Sequence, residues 1–329
     1  SRRVDPEFFA KYGVEELARY SDHWLEDQGR LTQPMRYNAT TDHYEAVTWD
    51  AAFAFIASRL NALASPDEAI FYTSGLTSNE AAFLYQLFVR QFGTNNFPDC
   101  SNMCHEPSGT ALNEQIGVGK GTVTLHDFEQ ADLIMVFGQN PGTNHPRMLG
   151  ELRRAVQRGA SVLAFNPLRE RGLERFADPQ DALEMLHNGS ERIASEYYQP
   201  RIGGDLAVVT GMLKHVLERG AQAHAEGKPA LLDEAFIEAH TDGFPALLAS
   251  VEATQWAGIE AESGLTEARL RDAGERFLRA ERAIVCWGMG ITQHRRSVAT
   301  IQMLVNLMLL RGHVGRPGAG ICPVRGHSN

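Results

Sequence analysis

The stretch that most constrains this chain is Asp132 to Phe137, Asp-Leu-Ile-Met-Val-Phe, followed by Gly138-Gln139-Asn140-Pro141-Gly142-Thr143-Asn144-His145-Pro146. A short apolar run, a glycine-bearing loop, a helical period from about Arg147 to Arg158 and a second apolar run from Ser161 to Phe165 make a βαβ unit. Such a unit demands a parallel sheet with helices over its faces. The order recurs at Ala283 to Trp287, where Gly288-Met289-Gly290-Ile291-Thr292-Gln293-His294 leads into a helix from Ser297 to Leu310. Several such loops should gather at one edge of the sheet. Free amides at a helix N-terminus there suit a phosphate, although an ordinary βα turn reads the same way.

The fold class expected is therefore α/β: a three-layer αβα, Rossmann-like domain with part of a second α/β domain. Residues 1–45 read as an N-terminal connecting segment, 46–99 as the first, incomplete part of an α/β domain, and 100–329 as the central domain. Asp5-Pro6 caps a helix from Glu7 to about Tyr20. Residues 21 to 47 read as loop-rich. Thr48 caps a second helix, Ala69 to Thr73 is a strand candidate, and Ser74-Gly75 turns the chain. Thr77 and Glu80 form a capping box for a helix ending near Phe92. Residues 172 to 200 read as an insertion, with a short helix near Asp181 to Leu186. Gly203-Gly204-Asp205 starts a helix to about Glu218, and Ala221 to Pro229 is a polar loop. Asp233 to His240, Phe244 to Val251 and a Thr266-capped segment to about Ala280 are further helices. The tail, Gly312 to Gly320, has no regular period.

A net charge of −10 over 329 residues argues against a nucleic-acid surface. No apolar run is long enough to span a membrane. Ser1-Arg2-Arg3 has no apolar stretch after it, so an export leader is rejected. Four cysteines make no disulfide framework, and their economy fits a reducing, cytoplasmic location. Both ends of the chain read as cut.

Cys100-Ser101-Asn102-Met103-Cys104-His105-Glu106-Pro107-Ser108-Gly109 holds two of those cysteines. A helix beginning near Glu106-Pro107 would put the Cys104 thiol close to a helix N-terminus, which favours thiolate. The step Cys104-His105 alone reads first as an inert core cysteine beside a histidine.

Four segments together, Cys104-His105, Gly138 to Pro146, Trp287 to Gln293 and Gly315 to Gly326, resemble the molybdopterin oxidoreductases of the dimethyl-sulfoxide-reductase superfamily. More narrowly they are similar to formate dehydrogenase-type α subunits and, within that group, to the FdhF/YdeP-like branch. The resemblance implies a molybdenum or tungsten centre held by two molybdopterin guanine dinucleotides, with Cys104 as the metal ligand; a soft thiolate suits such a centre. It implies His105 as acceptor of the substrate proton and Arg325 as the clamp on a small anionic substrate such as formate. It implies cofactor contacts from Gly138, Asn140, His145, Asn166, Gly203, Asp205, Met289, Gln293 and His327. Periplasmic nitrate reductases do not carry histidine after the cysteine. Departures from the family pattern are Asn166-Pro167-Leu168 where Asp-Pro-Arg is common, and Arg325-Gly326-His327-Ser328 where Arg-Gly-Gln-Asn is common. Family members carry a [4Fe-4S] cluster in an N-terminal domain that these residues do not include, and they pass electrons to a partner protein. A fragment of this kind is expected to hold the centre poorly alone. A cofactor-less scaffold of the same fold and a simple nucleotide-binding protein are the alternatives.

Overall fold

A computed structural model describes residues 2–73, 77–98, 100–180, 186–187 and 189–324. It divides into two units, with residues up to Pro98 in the first and residues from Cys100 onward in the second.

The first unit begins with β1 (Arg3–Val4), α1 (Pro6–Lys11), α2 (Val14–Leu17), α3 (Asp22–Asp27) and β2 (Arg30–Leu31). The single helix expected from Glu7 to Tyr20 is broken at Tyr12 and Gly13. Tyr12 is extended there, and the Asp42 side chain caps the restart by accepting from Glu15 N–H at 3.0 Å. The loop-rich segment after Ser21 holds α3 and an antiparallel hairpin, β3 (Met35–Asn38) and β4 (His43–Ala46). Thr48 caps α4 (Trp49–Asn61) as expected. Ala69 to Thr73 is not a strand: Phe71 makes one backbone bond, to the Asn96 carbonyl, and no ladder forms among the described residues. Ser74-Gly75 lies outside the described residues. Helix α5 (Asn79–Phe92) is capped by Ser78 rather than Thr77, and Gly93 ends it in the left-handed conformation.

The second unit runs α6 (Cys100–Ile116), α7 (Leu125–Phe128), β5 (Leu133–Phe137), α8 (Pro141–Asn144), α9 (Pro146–Gln157), β6 (Ser161–Phe165), α10 (Arg171–Glu174) and β7 (Glu196–Tyr198). It continues α11 (Asp205–Ala225), α12 (Glu234–His240), α13 (Phe244–Ala253), α14 (Trp256–Ser263), α15 (Glu267–Arg279), β8 (Ala283–Trp287), α16 (Met289–Thr292), α17 (Ser297–Leu309) and β9 (Gly320–Pro323). Strands β7 and β9, the helical end of α11 through Ala225 and the whole of α14 depart from the sequence expectation. Two of these are sheet edges, where one partner suffices and the apolar run shortens. The short helix expected near Asp181 falls mostly outside the described residues.

The five strands β7-β6-β5-β8-β9 form one all-parallel sheet. Alternate residues serve its two faces. Leu133, Met135 and Phe137 pack with α11, α15 and α17 residues such as Val209, Phe277 and Leu304, while Ile134 and Val136 pack with Leu149 and Leu152 of α9. Helices on both faces make the α/β, αβα sandwich. The chain leaves β5 toward β6 and β7, then returns to place β8 on the other side of β5. The gap beyond the ends of β5 and β8 is thus the switch point, where open α/β sheets bind ligands.

Candidate active site at the switch point

Three loops meet at that edge. Gly138 follows β5 with φ +54°, and Gly290 N–H donates to the Gly138 carbonyl at 3.0 Å. A Cβ on Gly138 would lie 2.9 Å from the Gly290 backbone, and one on Gly290 would lie 2.7 Å from Gly138. Only two glycines allow these loops to touch.

Against this pair lies α6. The helix breaks at His105 (φ −135°, ψ 20°), two residues before Pro107. Proline carries no N–H, so the Met103 carbonyl loses its helical donor. Gln293 Nε2 donates to it instead at 2.7 Å, and Thr292 Oγ1 donates to the Cys104 carbonyl at 2.6 Å. The kink and the end of α16 therefore complete each other and hold Cys104 beside the loop after β8. Its Sγ lies 3.1 Å from Met289 Sδ, and Cys104 is buried while Met289 is half exposed. A thiol placed so donates to the thioether; as a metal ligand it would act as thiolate.

His105 is buried. Its Nδ1 is 3.0 Å from Ser108 Oγ, and Trp287 Nε1 donates to the same oxygen at 2.9 Å. Trp287 belongs to an aromatic row across the sheet, in register with Phe137, Phe165 and Tyr198. Phe137 and Phe165 stack at 4.1 Å, and Phe165 and Tyr198 at 4.7 Å. Burial and the Asp272 carboxylate beside it push the Tyr198 hydroxyl well above its ordinary range.

A second cluster lies along the loops after β5 and β6. Asn140 caps α8 through Oδ1, and its Nδ2 donates to Glu170 at 2.6 Å. Asn166 Nδ2 donates to the other Glu170 oxygen at 3.2 Å. Glu170 thus ties together two residues that the resemblance assigns to cofactor binding. Its own backbone N–H donates to Tyr197 Oη at 3.0 Å. His145 separates α8 from α9; burial lowers its pKa. Gly203 (φ +79°) and Asp205 stand at the flank of the edge, past β7, with Asp205 opening α11. Burial raises the Asp205 carboxyl to about 6.

Of the residues singled out from sequence, Cys104, His105, Met289 and Gln293 gather around the kink, and Gly138 abuts the same loop. Asn140 and Asn166 form the second cluster with His145 nearby. Arg325 and His327 lie outside the described residues. Ser108, Trp287, Thr292 and Glu170 escaped sequence reasoning as site residues. The one usable signal was Pro107, which announces a break and hence a need for outside donors. Cys286 and Cys322 pair in register on β8 and β9, and a shared hydrogen bond together with burial raises the Cys286 thiol.

The model of the family described as molybdopterin oxidoreductase matches residues 30–327. The chain belongs to the molybdopterin oxidoreductase family. It is 53% identical over 328 residues to Protein YdeP of Escherichia coli, covering 100% of this chain and 43% of that protein. It is 49% identical to an oxidoreductase of Mycobacterium bovis, covering 100% and 42%. Formate dehydrogenase H of Escherichia coli is 31% identical, with 91% of this chain and 39% of that protein covered. Acetylene hydratase from Pelobacter acetylenicus shares the fold at TM-score 0.62 and 19% identity, over 85% of this chain and 34% of that one. The chain thus spans less than half the length of the curated relatives it matches.

The residues present fit a molybdopterin cofactor of the family. Gln139 Oε1 and His145 Nε2 are buried beside the loop after β5 with no hydrogen-bond partner among the described residues. Buried polar atoms are normally satisfied, and a polar ligand at this edge would satisfy them. Nothing within 4 Å would meet a Cβ on Gly203 or Gly109, so space is open there. Among the described residues no cluster of three or more His, Cys, Asp or Glu is placed to hold a metal by itself. No helix among them is long and apolar enough to cross a membrane.

Proposed function

We propose that the whole protein is a formate dehydrogenase-like oxidoreductase that oxidises formate to CO2, or a related small substrate, by two electrons. The observation that carries this reading is Cys104-His105 at a kinked helix, fastened by Thr292 and Gln293 to the loop at the sheet's switch point. A bis-molybdopterin guanine dinucleotide centre, with molybdenum or tungsten, supplies the two-electron acceptor when bound.

In this reading Cys104 would hold the metal as thiolate. The loops at Gly138, Asn140 and His145, with Asn166, Gly203, Asp205, Met289, Gln293 and His327, hold the dinucleotide. Glu170 keeps Asn140 and Asn166 in place. Arg325 clamps the substrate carboxylate through its planar fork, and His105 accepts the substrate proton. Burial of Cys104 and His105 keeps water from the site. We also propose that residues 46–99 begin a second α/β domain, which suits relatives more than twice as long. A [4Fe-4S] cluster in the N-terminal part of the whole protein, an electron-transfer partner and a cytoplasmic location complete the proposal.

The test is metal and pterin analysis of the full-length protein made in cells that synthesise the cofactor, followed by formate-dependent dye reduction. Bound metal, pterin and dye reduction are the expected result. Protein with neither metal nor pterin overturns the enzyme reading in favour of a scaffold. Loaded protein inactive on formate overturns the substrate alone.

A further inference from the structure

We propose that Cys286 and Cys322 form a reversible oxidation site, with hydrogen peroxide as the oxidant and a disulfide between β8 and β9 as the product. The site goes beyond the function proposed above and does not depend on it.

The two thiols are neighbours in register. Cys286 on β8 is the Cα partner of Cys322 on β9. Adjacent strands lie about 4.8 Å apart, and disulfides span Cα separations of about 4.4–6.8 Å. In-register partners on parallel strands point to the same face. Here that face is the apolar cluster beneath α9, with Cys286 inside it and Cys322 packed against it. Strand β9 is at the edge of the sheet, with β8 as its neighbour there. It can therefore draw in toward β8 without dragging a further strand of the sheet. Both cysteines are thiols in this structure. In a reducing compartment a pair so placed stays reduced, and a disulfide between them is transient and redox-sensing.

The two sulfurs are not equivalent. Cys286 is fully buried, whereas Cys322 is partly exposed at the sheet edge. A side-chain hydrogen bond joins them; it holds the Cys322 thiol below its ordinary range and, with burial, raises Cys286. Cys286 is thus the donor of that bond. Cys322 is the sulfur that ionises and that a small oxidant can reach, with Cys286 as the resolving thiol beside it.

The chemistry runs in two steps. The Cys322 thiolate attacks one peroxide oxygen and the O–O bond breaks. The departing hydroxide takes up the proton that the thiol released, giving water, and Cys322 becomes a sulfenic acid. The Cys286 sulfur then attacks the Cys322 sulfur and the S–O bond breaks. The Cys286 proton leaves with that hydroxide as a second water. Two thiols lose two electrons, and one peroxide gains them. A dithiol restores both cysteines by exchange. The bond joins the two strands shortly before the segments that carry Met289 and Arg325, each three residues beyond its cysteine.

The test is peptide mapping of the folded full-length protein, reduced, treated with hydrogen peroxide, alkylated and digested with trypsin. Cleavage after Arg282, Arg295, Arg311 and Arg325 puts Cys286 and Cys322 on separate peptides, 283–295 and 312–325, neither of which holds Cys100 or Cys104. The expected result is a cross-linked pair of these peptides, two hydrogens lighter than their sum, that dithiothreitol abolishes. In Cys286→Ala, Cys322 should accumulate as sulfenic acid and take up dimedone; in Cys322→Ala, Cys286 should not. Both cysteines recovered as free thiols after peroxide overturn the proposal. So does a cross-link that forms only when the protein is oxidised in denaturant. Dimedone on Cys286 rather than Cys322 overturns the order of the steps. The wild-type map requires no variant to fold, and it reads neither turnover nor metal, so its outcome is separate from that of the formate assay.

Discussion

The two units of this molecule spend their apolar residues differently. In the second, every residue of β5 and β8 is buried, and helices from both sides cover the sheet. In the first, Trp49, Phe53 and Ile56 on α4 are more than half exposed, as are Phe83, Leu84 and Leu87 on α5. Phe71, Val89 and Thr94 are the described residues of that unit that are fully buried. Both units have well-capped helices; among the described residues a sheet with helices on both faces occurs in the second. Local signals thus suffice to start and stop a helix, whereas a core requires a second surface. The catalytic proposal falls wholly in the unit that owns its core, which is where a kink and two touching loops can be held rigidly.

The strongest test of that division is Cys104→Ser in the full-length protein. Formate-dependent dye reduction should fall to background, with metal content reduced and the fold intact by circular dichroism. Retained turnover would end the ligand assignment. Next comes Leu163→Ala in β6, whose side chain is fully buried. It should cost about 2–5 kcal/mol in urea unfolding.

Two buried groups of the second unit should give stability opposite slopes with pH. Burial, with Arg316 and Arg311 nearby, depresses His313 to about 3. Its folded pKa is below its unfolded one, so stability is complete above the ordinary histidine range and falls as pH drops below about 6.5. Asp205 is raised to about 6 against an ordinary 3.8. Its folded state holds the proton more tightly, so stability falls as pH rises from about 4 to 6, by up to about 3 kcal/mol. Asp205→Asn should remove the second slope and His313→Gln the first, measured by unfolding at stepped pH. If neither changes, these groups are solvated in solution.

Gly138→Ala should follow with about 1–3 kcal/mol, because its Cβ meets the Gly290 backbone at 2.9 Å and its φ is +54°. The smallest effect belongs to the first unit. Phe53→Ala should stay within about 0.5 kcal/mol if its ring is exposed in the whole protein. A cost of about 3 kcal/mol or more would instead show that the rest of the full-length chain covers α4.

Much of the second unit was legible in advance. The runs at Leu133–Phe137, Val162–Phe165 and Ala283–Trp287 are apolar throughout, and each is followed by a glycine or turn loop before a helix. Edge strands β7 and β9 were not legible, because a strand with one partner needs fewer apolar residues to mark it. Ala69–Thr73 misled in the other direction: it looks like a strand but has no ladder among the described residues. At the site, Cys104 and His105 stood out by type and the two glycine loops by spacing. Ser108 did not, since a serine in a helix has no signature of its own.

Residue order alone determined the fold class, the family and the edge at which the loops converge, because burial pattern and turn chemistry are local properties. Only the tertiary structure decided what those residues do to one another. The Met103 carbonyl freed by Pro107 accepts from Gln293, 190 positions on, and the Cys104 carbonyl accepts from Thr292, 188 positions on. Ser108 stands between Trp287 and His105 for the same reason. Hydrogen-bond partners are chosen by distance and direction, and those exist only after the sheet has brought the ends of β5 and β8 side by side.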